Sequence, residues 1–433
     1  MPSIISESDA LRTKLTALSK RLTGDDADTL SQLLDKWESL NDSTTATANS
    51  DPVQSAPVVK YATVKITFLR QFMQDALIAA GVPHNEASVA AEVLEWADVH
   101  GVSTHGIGRL KPIYINRIND NILKPTAPFD IVSETETTAV VDGHCGLGLF
   151  IGPKCMDMCI EKAKKQGLAM VVVRNSTHYG AAGYYVDKAQ QRGCIGITGT
   201  NARPSIAPTF GVQPMLGTNP MTFGMPSDDD FPFILDCATS VNQRGKIEKY
   251  AREGKPTPPG QVVDRDGNVR TDTVQILKDL QTGYCSLAPL GGVGAEMGGY
   301  KGYGYATVVE LLSAALQDGL NSPKLGGVNK ETGEKMPMPL GHFFIAIDVE
   351  RFLPIERFRS NVGTFLREMR NSEKDPKGPG RIYTAGELEH EGVLECKKLG
   401  GVQVPEALMN DMCAIRELYP SILEKYPKFS FEE

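Results

Sequence analysis

A chain of 433 residues, 41% apolar and 23% charged, is long enough for two domains and apolar enough to build their cores. Its formal net charge of −8 gives no electrostatic reason to expect nucleic acid or an anionic membrane as a partner. No apolar run approaches the ~20 residues that span a bilayer, and the opening M-P-S-I-I-S-E-S-D-A has no secretory h-region, so a cytoplasmic protein is expected.

Leucines 11, 15, 18 and 22, then 30, 33 and 34 with Trp37, recur at helical spacing, which predicts one or two amphipathic helices over 6–40. The polar run at 41–52 reads as a linker. About 1–60 is therefore expected to be a helical appendage to the main body. Two further helices end at Gly81 and Gly101, where glycine is the expected C-cap. After S-T-H-G at 103–106, the run L-K-P-I-Y-I-N-R-I continues a third helical piece.

From 130 the pattern changes. I-V-S-E-T-E-T-T-A-V-V-D-G alternates and is β-branched, predicting a hairpin or two strands. Apolar runs at 168–173, 194–198 and 232–235 alternate with helices at about 150–166 and 180–192, which argues α/β architecture. A helix capped by Thr239 or Ser240 is expected over 241–253, and the Pro/Gly-rich passage after it reads as a surface excursion. G-G-Y-K-G-Y-G at 298–304 opens an apolar helix, H-F-F-I-A-I-D at 342–348 is a strand, and amphipathic helices at 355–371 and 405–417 close the chain. The division expected is 61–130 with 303–433 as a helical, mixed domain, and 131–302 as an α/β domain.

Chemistry-bearing residues sit where these elements end. In T-H-G-I-G-R, a helix beginning at Thr104 would put His105 and Arg109 on one face; a guanidinium can hold a carboxylate while an imidazole exchanges a proton with a hydroxyl or carbonyl oxygen. The bland alternative makes His105 a cap and Arg109 a surface ion-pair partner. His178 follows the strand at 168–173 and precedes a helix, a position suited to catalysis or to a structural hydrogen bond. Asp236 ends an apolar run and needs a partner such as histidine, lysine or a ribose hydroxyl. Lys301, between glycines, can reach a phosphate or simply be solvated. The eight cysteines are scattered with few histidines nearby, so buried free thiols are expected and a metal site is not. Neither G-x-G-x-x-G nor G-x-x-x-x-G-K-[ST] occurs, so a standard Rossmann or P-loop site is not encoded.

Six segments stand in order: A-D-x-x-G-V-x-T-H-G-I-x-R, N-S-T-H-Y-G-A-A-G-Y-Y, G-T-N-P-M-T-F-G-M-P, L-D-C-A-T-S, G-G-Y-K-G-Y-G and A-G-E-L-E. Together they resemble the type-2 malate/L-lactate dehydrogenase family over about 63–420. The resemblance implies a non-Rossmann α/β fold that binds NAD or NADP on a mixed sheet, in a homodimer or dimer of dimers. It implies His105, His178 and Asp236 as catalytic residues, Arg109 and Thr104 at the substrate, and Asp236, Cys237, Ala238, Tyr300, Lys301, Gly386, Glu387 and Leu388 at the cofactor. The family's serine is Thr104 here, and the tyrosine usually four residues after the arginine stands one later, as Tyr114, which leaves its role open. The expected activity is hydride transfer between nicotinamide and C2 of a small 2-oxo/2-hydroxy acid, malate/oxaloacetate or lactate/pyruvate. The alternatives are ureidoglycolate dehydrogenase, a cyclic imino-acid reductase, or an inactive scaffold or regulatory subunit.

Overall fold

The structure, a computed structural model, describes residues 60–329 and 331–432. The helices expected over 6–40 and the linker at 41–52 lie outside the described residues. The described chain opens with β1 (Tyr61–Val64), then α1 (Ile66–Ala79) and α2 (His84–Val99). Each helix is followed by a left-handed glycine, Gly81 and Gly101, as a C-terminal stop requires. Three short helical pieces follow, Ile107–Arg109, Leu110–Ile115 and Asn116–Asn119, the middle one a π-turn.

The hairpin β2 (Asp130–Glu134) and β3 (Thr138–Asp142) leads into α3 (Gly148–Gln166), β4 (Leu168–Ser176), α4 (Gly183–Gln191) and β5 (Cys194–Thr200). Strands β6 (Met221–Met225) and β7 (Phe233–Cys237) precede α5 (Arg244–Arg252). A small unit comes next: β8 (Val262–Asp264), α6 (Thr273–Thr282) and β9 (Cys285–Leu287). Instead of a bare excursion, this passage builds its own core from Ile247, Val262, Ile276, Cys285 and Leu287. Then come α7 (Gly299–Ser313), β10 (Leu340–Asp348), α8 (Ile355–Asn371), α9 (Glu387–Leu399), β11 (Val402–Pro405) and α10 (Glu406–Leu418). Strand β11 returns to pair with β1.

Seven strands form one mixed sheet in the order β2-β3-β4-β10-β5-β6-β7, with β3 and β4 parallel and every other pair antiparallel. Helices α3 and α4 cover one face and α7 the other. That explains why β4 reads as an unbroken apolar run: Val171 and Val173 enter the α3 core while Val172 enters the α7 core. Two-sided burial erases the alternation of a half-exposed strand. Strand β10 is central for the same reason, Phe344 facing one core and Phe343 the other. The expected boundary at 302/303 therefore cuts across the sheet, because β10 comes from beyond it.

The architecture is the expected non-Rossmann α/β class. The strands at 61–64, 221–225 and 402–405 and the helix at 387–399 are additions to the expected elements. The cap of α5 also differs. Thr239 Oγ donates to the Thr218 and Asn219 carbonyls, at 3.2 and 3.0 Å, so it is spent on the neighbouring loop, and α5 starts later, from Gln243.

Candidate active site

At the carboxyl end of β4 the chain turns sharply. Asn175 is left-handed (φ 53°), and Thr177 Oγ accepts from Gly148 N at 3.0 Å and donates to the Gly146 carbonyl at 2.8 Å. A Cβ on Gly148 would lie 2.3 Å from the Thr177 carbonyl oxygen, so only glycine lets α3 start against this turn. The turn delivers His178 to a cavity of about 240 Å³ lined also by His105, Asp236, Ala238 and the small residues Gly180, Ala181 and Ala182.

His105 arrives on a different kind of support. Gly106 is not helical (φ −92°, ψ −137°), and the helical turn begins at Ile107 rather than Thr104. The buried Asp98 carboxylate accepts the Ile107 amide at 2.8 Å, and a Cβ on Gly106 would strike that carboxylate at 1.9 Å. With the later start, Arg109 folds back and its Nε donates to the Thr104 carbonyl. Arg109 is not among the cavity-lining residues. Thr104 lines the cavity, its hydroxyl 2.9 Å from His105 Nδ1.

The two imidazoles stack, with centroids 5.6 Å apart and planes 17° from parallel. Behind them, Tyr114 Oη lies 2.6 Å from His178 Nδ1. The π-turn explains how a tyrosine one residue late reaches that place: a wider turn absorbs one inserted residue and restores the register beyond it. Gly180 N also donates to His178 Nδ1, at 3.3 Å. An amide can only donate, so Nδ1 is the acceptor and the neutral ring carries its proton on Nε2. Burial, with His105, Arg109 and Arg117 nearby, holds the His178 pKa well below the usual range. Burial and Arg109 push His105 down to about 4. Burial pushes the Tyr114 phenol up, so it stays protonated.

Asp236 is placed at the cavity, but not beside a histidine. Its Oδ2 accepts from Gly183 N at 2.7 Å and its Oδ1 from Thr222 Oγ at 3.0 Å, so it caps α4, and burial raises its pKa. The partner of His178 is Tyr114 instead. Cys237 and Ala238 line an adjoining cleft of about 630 Å³ that shares Thr104, Asp236, Ala238 and Gln243 with the first cavity.

The remaining expected residues lie elsewhere. Gly386 (φ 93°) sits against the outer edge of β7, where a Cβ would meet the Pro232 carbonyl at 2.3 Å. Glu387 is buried, accepting from Thr384 N at 3.0 Å and from Arg381, and Leu388 is exposed. It is Glu389, one residue on, that lines the cavity. Tyr300 and Lys301 open α7, the ammonium 5.7 Å from the tyrosine ring centroid, and neither lines the two cavities.

Sequence reasoning missed Arg117 and Arg203. Arg117 is half-buried; burial lowers its pKa, and repulsion from Arg203 and Arg109 lowers it further. Among the described residues none of the three has a carboxylate at ion-pair distance. In the sequence they are eight and 86 positions from Arg109 and Arg117 respectively (109 to 117, 117 to 203), too far apart to read as a cluster.

A nicotinamide group fits this arrangement. Gly180, Ala181, Ala182 and Ala202 in the cavity lining leave room for a flat ring, and Asp236 and Cys237 belong to the last strand of the sheet, whose outer edge carries no further strand among the described residues.

Half-buried neutral imidazoles facing one cavity, with the Arg109 and Arg117 guanidinium groups near His178, suit an oxidoreductase acting on a CH–OH group, the class to which the relatives below belong. The comparisons place it more closely. The sequence model of the malate/L-lactate dehydrogenase family matches residues 64–413, and the chain belongs to that family. Malate dehydrogenase of Pyrococcus horikoshii is 40% identical over 319 residues, 74% of this chain and 85% of that protein. L-sulfolactate dehydrogenase of Methanocaldococcus jannaschii is 36% identical over 343 residues, 79% and 93%. The crystal structure of malate dehydrogenase from Entamoeba histolytica superposes with a TM-score of 0.79 at 42% identity, covering 83% of this chain and 98% of that one. Dehydrogenases of this family are nicotinamide-dependent.

Proposed function

We propose that the protein interconverts a four-carbon 2-oxo diacid and its 2-hydroxy form, oxaloacetate and malate, with His178 as the proton-exchanging residue. The observation that carries this reading is the pairing of His178 Nδ1 with Tyr114 at 2.6 Å, which leaves Nε2 for the substrate oxygen at C2. The bound nicotinamide supplies or takes the hydride.

The chain's own residues do the rest. His178 is neutral in the free protein because burial and the nearby cationic groups disfavour its charge. A dianionic substrate brings the opposite charge and raises the imidazole pKa. His178 then takes up a proton, its Nδ1–H turns to the Tyr114 oxygen, and its Nε2–H faces the C2 oxygen. The Tyr114 hydroxyl serves both states because it can donate or accept. As C2 is reduced, the Nε2 proton passes to its oxygen. Arg109, Arg117 and Arg203 lie outside the cavity lining but have no acid partners among the described residues, so their charge is available to attract the substrate carboxylates. Three guanidinium groups favour a diacid, since a single carboxylate, as in lactate, would leave two of them uncompensated. His105, stacked on His178, positions it and walls the cavity. Asp236 fixes the start of α4 and thereby the Gly180–Ala182 floor.

The test is a 340 nm assay with NADH and NADPH over oxaloacetate, sulfopyruvate, pyruvate and a cyclic imino acid. Oxaloacetate is expected to give the highest kcat/KM. Turnover of pyruvate above both diacids would overturn the substrate assignment, and no turnover with any, together with no nucleotide binding, would overturn the function.

A further inference from the structure

The cleft that continues from the histidine cavity carries a charge pattern the mechanism above does not use. Helix α5 presents Lys246, Lys249 and Arg252 to it. These positions are three apart and share one helix face, spread over about 9 Å along the axis. In a chain of net charge −8, two of the three have no ion-pair partner among the described residues. Arg252 has no acid at ion-pair distance among the described residues, and Lys246 only leans toward the Tyr250 ring, 5.7 Å from its centroid. Lys249 is 3.7 Å from Glu253, whose other oxygen holds Lys255 at 2.8 Å. By contrast, Arg244 at the start of the helix is closed on Glu248 at 2.9 Å. The one acid lining the cleft is Asp236, and both of its oxygens are already hydrogen-bonded.

We infer that this face of α5 is the phosphate-recognition element of the cofactor cleft and selects the 2′-phosphorylated dinucleotide, NADP(H), over NAD(H). The inference rests on the reading of the histidine cavity as the nicotinamide site. A dinucleotide laid from that cavity across Asp236–Ala238 continues into the 630 Å³ cleft, where its phosphates meet the cations. A pyrophosphate carries one charge on each phosphorus, and Lys246, the first of the cations, meets one of them. A third, dianionic phosphate on the adenosine ribose needs the surplus that Lys249 and Arg252 provide. With NAD(H) those two cations would face solvent and gain nothing, so they contribute discrimination rather than general affinity.

The test is binding of NADPH and NADH to the full chain, followed by nicotinamide fluorescence, with 2′-AMP and 5′-AMP as competitors. Two charge-assisted contacts correspond to a preference for NADPH of about 10- to 100-fold, and 2′-AMP is expected to compete where 5′-AMP does not. In the Lys249→Gln/Arg252→Gln double variant, NADPH affinity should fall to within about threefold of NADH, with NADH affinity and melting temperature kept. Equal wild-type affinity for the two nucleotides overturns the inference. So does a double variant that weakens both equally, because the cations would then grip only the shared pyrophosphate. Binding of neither nucleotide overturns the reading of the cavity beneath it.

Discussion

The two histidines of the site hang on opposite kinds of support. His178 follows a central strand, is half-buried, and has Nδ1 fixed by the Tyr114 hydroxyl and the Gly180 amide. His105 rides a loop with exposed neighbours at Ser103 and Thr104, and its Nδ1 meets only the adjacent Thr104 hydroxyl. One imidazole has its orientation and tautomer set by the fold. The other has its loop set by Asp98 and its ring by packing on the first. Proton transfer in a defined geometry needs the former, which is why the proton is assigned to His178.

The sharpest way to break this comparison is to remove each ring in turn. Loss of a general acid–base typically costs 10²–10⁴, so His178→Ala is expected to lower kcat about 10³-fold while nucleotide binding persists. His105→Ala should cost only about tenfold, as the loss of a positioning neighbour. If the two losses come out reversed, the assignment is wrong. The pH dependence separates them again. With the His178 pKa held well below 6.5 in the free protein, kcat/KM for reduction should fall about tenfold per pH unit from 6 to 8, because the required proton is scarcer at each step. A flat profile below pH 6.5 would mean a histidine of ordinary pKa.

Next in size is the arginine cluster. Arg117→Ala should raise KM for oxaloacetate by about 10- to 100-fold, the loss of a charge-assisted pair, and leave pyruvate turnover within a few fold. An equal effect on both would show that Arg117 supports the fold rather than the second carboxylate.

How far the sequence disclosed this site depends on the kind of relation involved. His105, His178 and Asp236 stand in segments where small residues meet strand or helix ends, and all three line one cavity. The segments also carried the family and the absence of a Rossmann turn. Asp236 was legible as a buried acid needing partners; that these are Gly183 N and Thr222 was not, since they come from α4 and β6. Arg109 depended on where a helix starts, and the start was moved by Asp98, nine positions before Ile107 in sequence. Glu387 and Glu389 differ only in which way a helix turns its first residues. Strand β10 was recognisable, but its place between β4 and β5 was not, because pairing over such a separation leaves no local pattern.

Tyr114 is the instructive intermediate case. Its offset in sequence left its role open, and the π-turn at Leu110–Ile115 brings its hydroxyl to His178 Nδ1. Tyr114→Phe removes the Nδ1 partner without changing shape, and a loss of about tenfold in kcat is expected, since one neutral hydrogen bond contributes on the order of 1 kcal/mol. The reduction profile should steepen at lower pH in the variant, because the charged ring loses its acceptor. An unchanged pH profile with a lowered kcat would leave Tyr114 only a packing role.

The smallest effect, on stability rather than turnover, tests the support of the other histidine. Asp98 is buried on α2, faces Glu95 on its own helix, and shares a cavity with Glu395 and Cys396 of α9. Burial pushes its pKa up to about 7, against the Ile107 amide, which lowers it. An unfolded aspartate titrates near ~3.9, so between about 4 and 7 the folded chain binds the extra proton. The associated stability is present below that window and lost as pH rises through it. His105, His178 and His342, all depressed, work with the opposite sign, losing stability as pH falls below ~6.5. The wild-type curve therefore mixes both, and only a difference isolates Asp98. Asp98→Asn keeps an oxygen for the Ile107 amide and cannot ionise. Relative to wild type, its unfolding free energy from urea titration should rise between pH 5 and 8, by at most about 1.4 kcal/mol per pH unit. An identical difference at both pH values would show that the loop carrying His105 is not anchored on an ionising carboxylate.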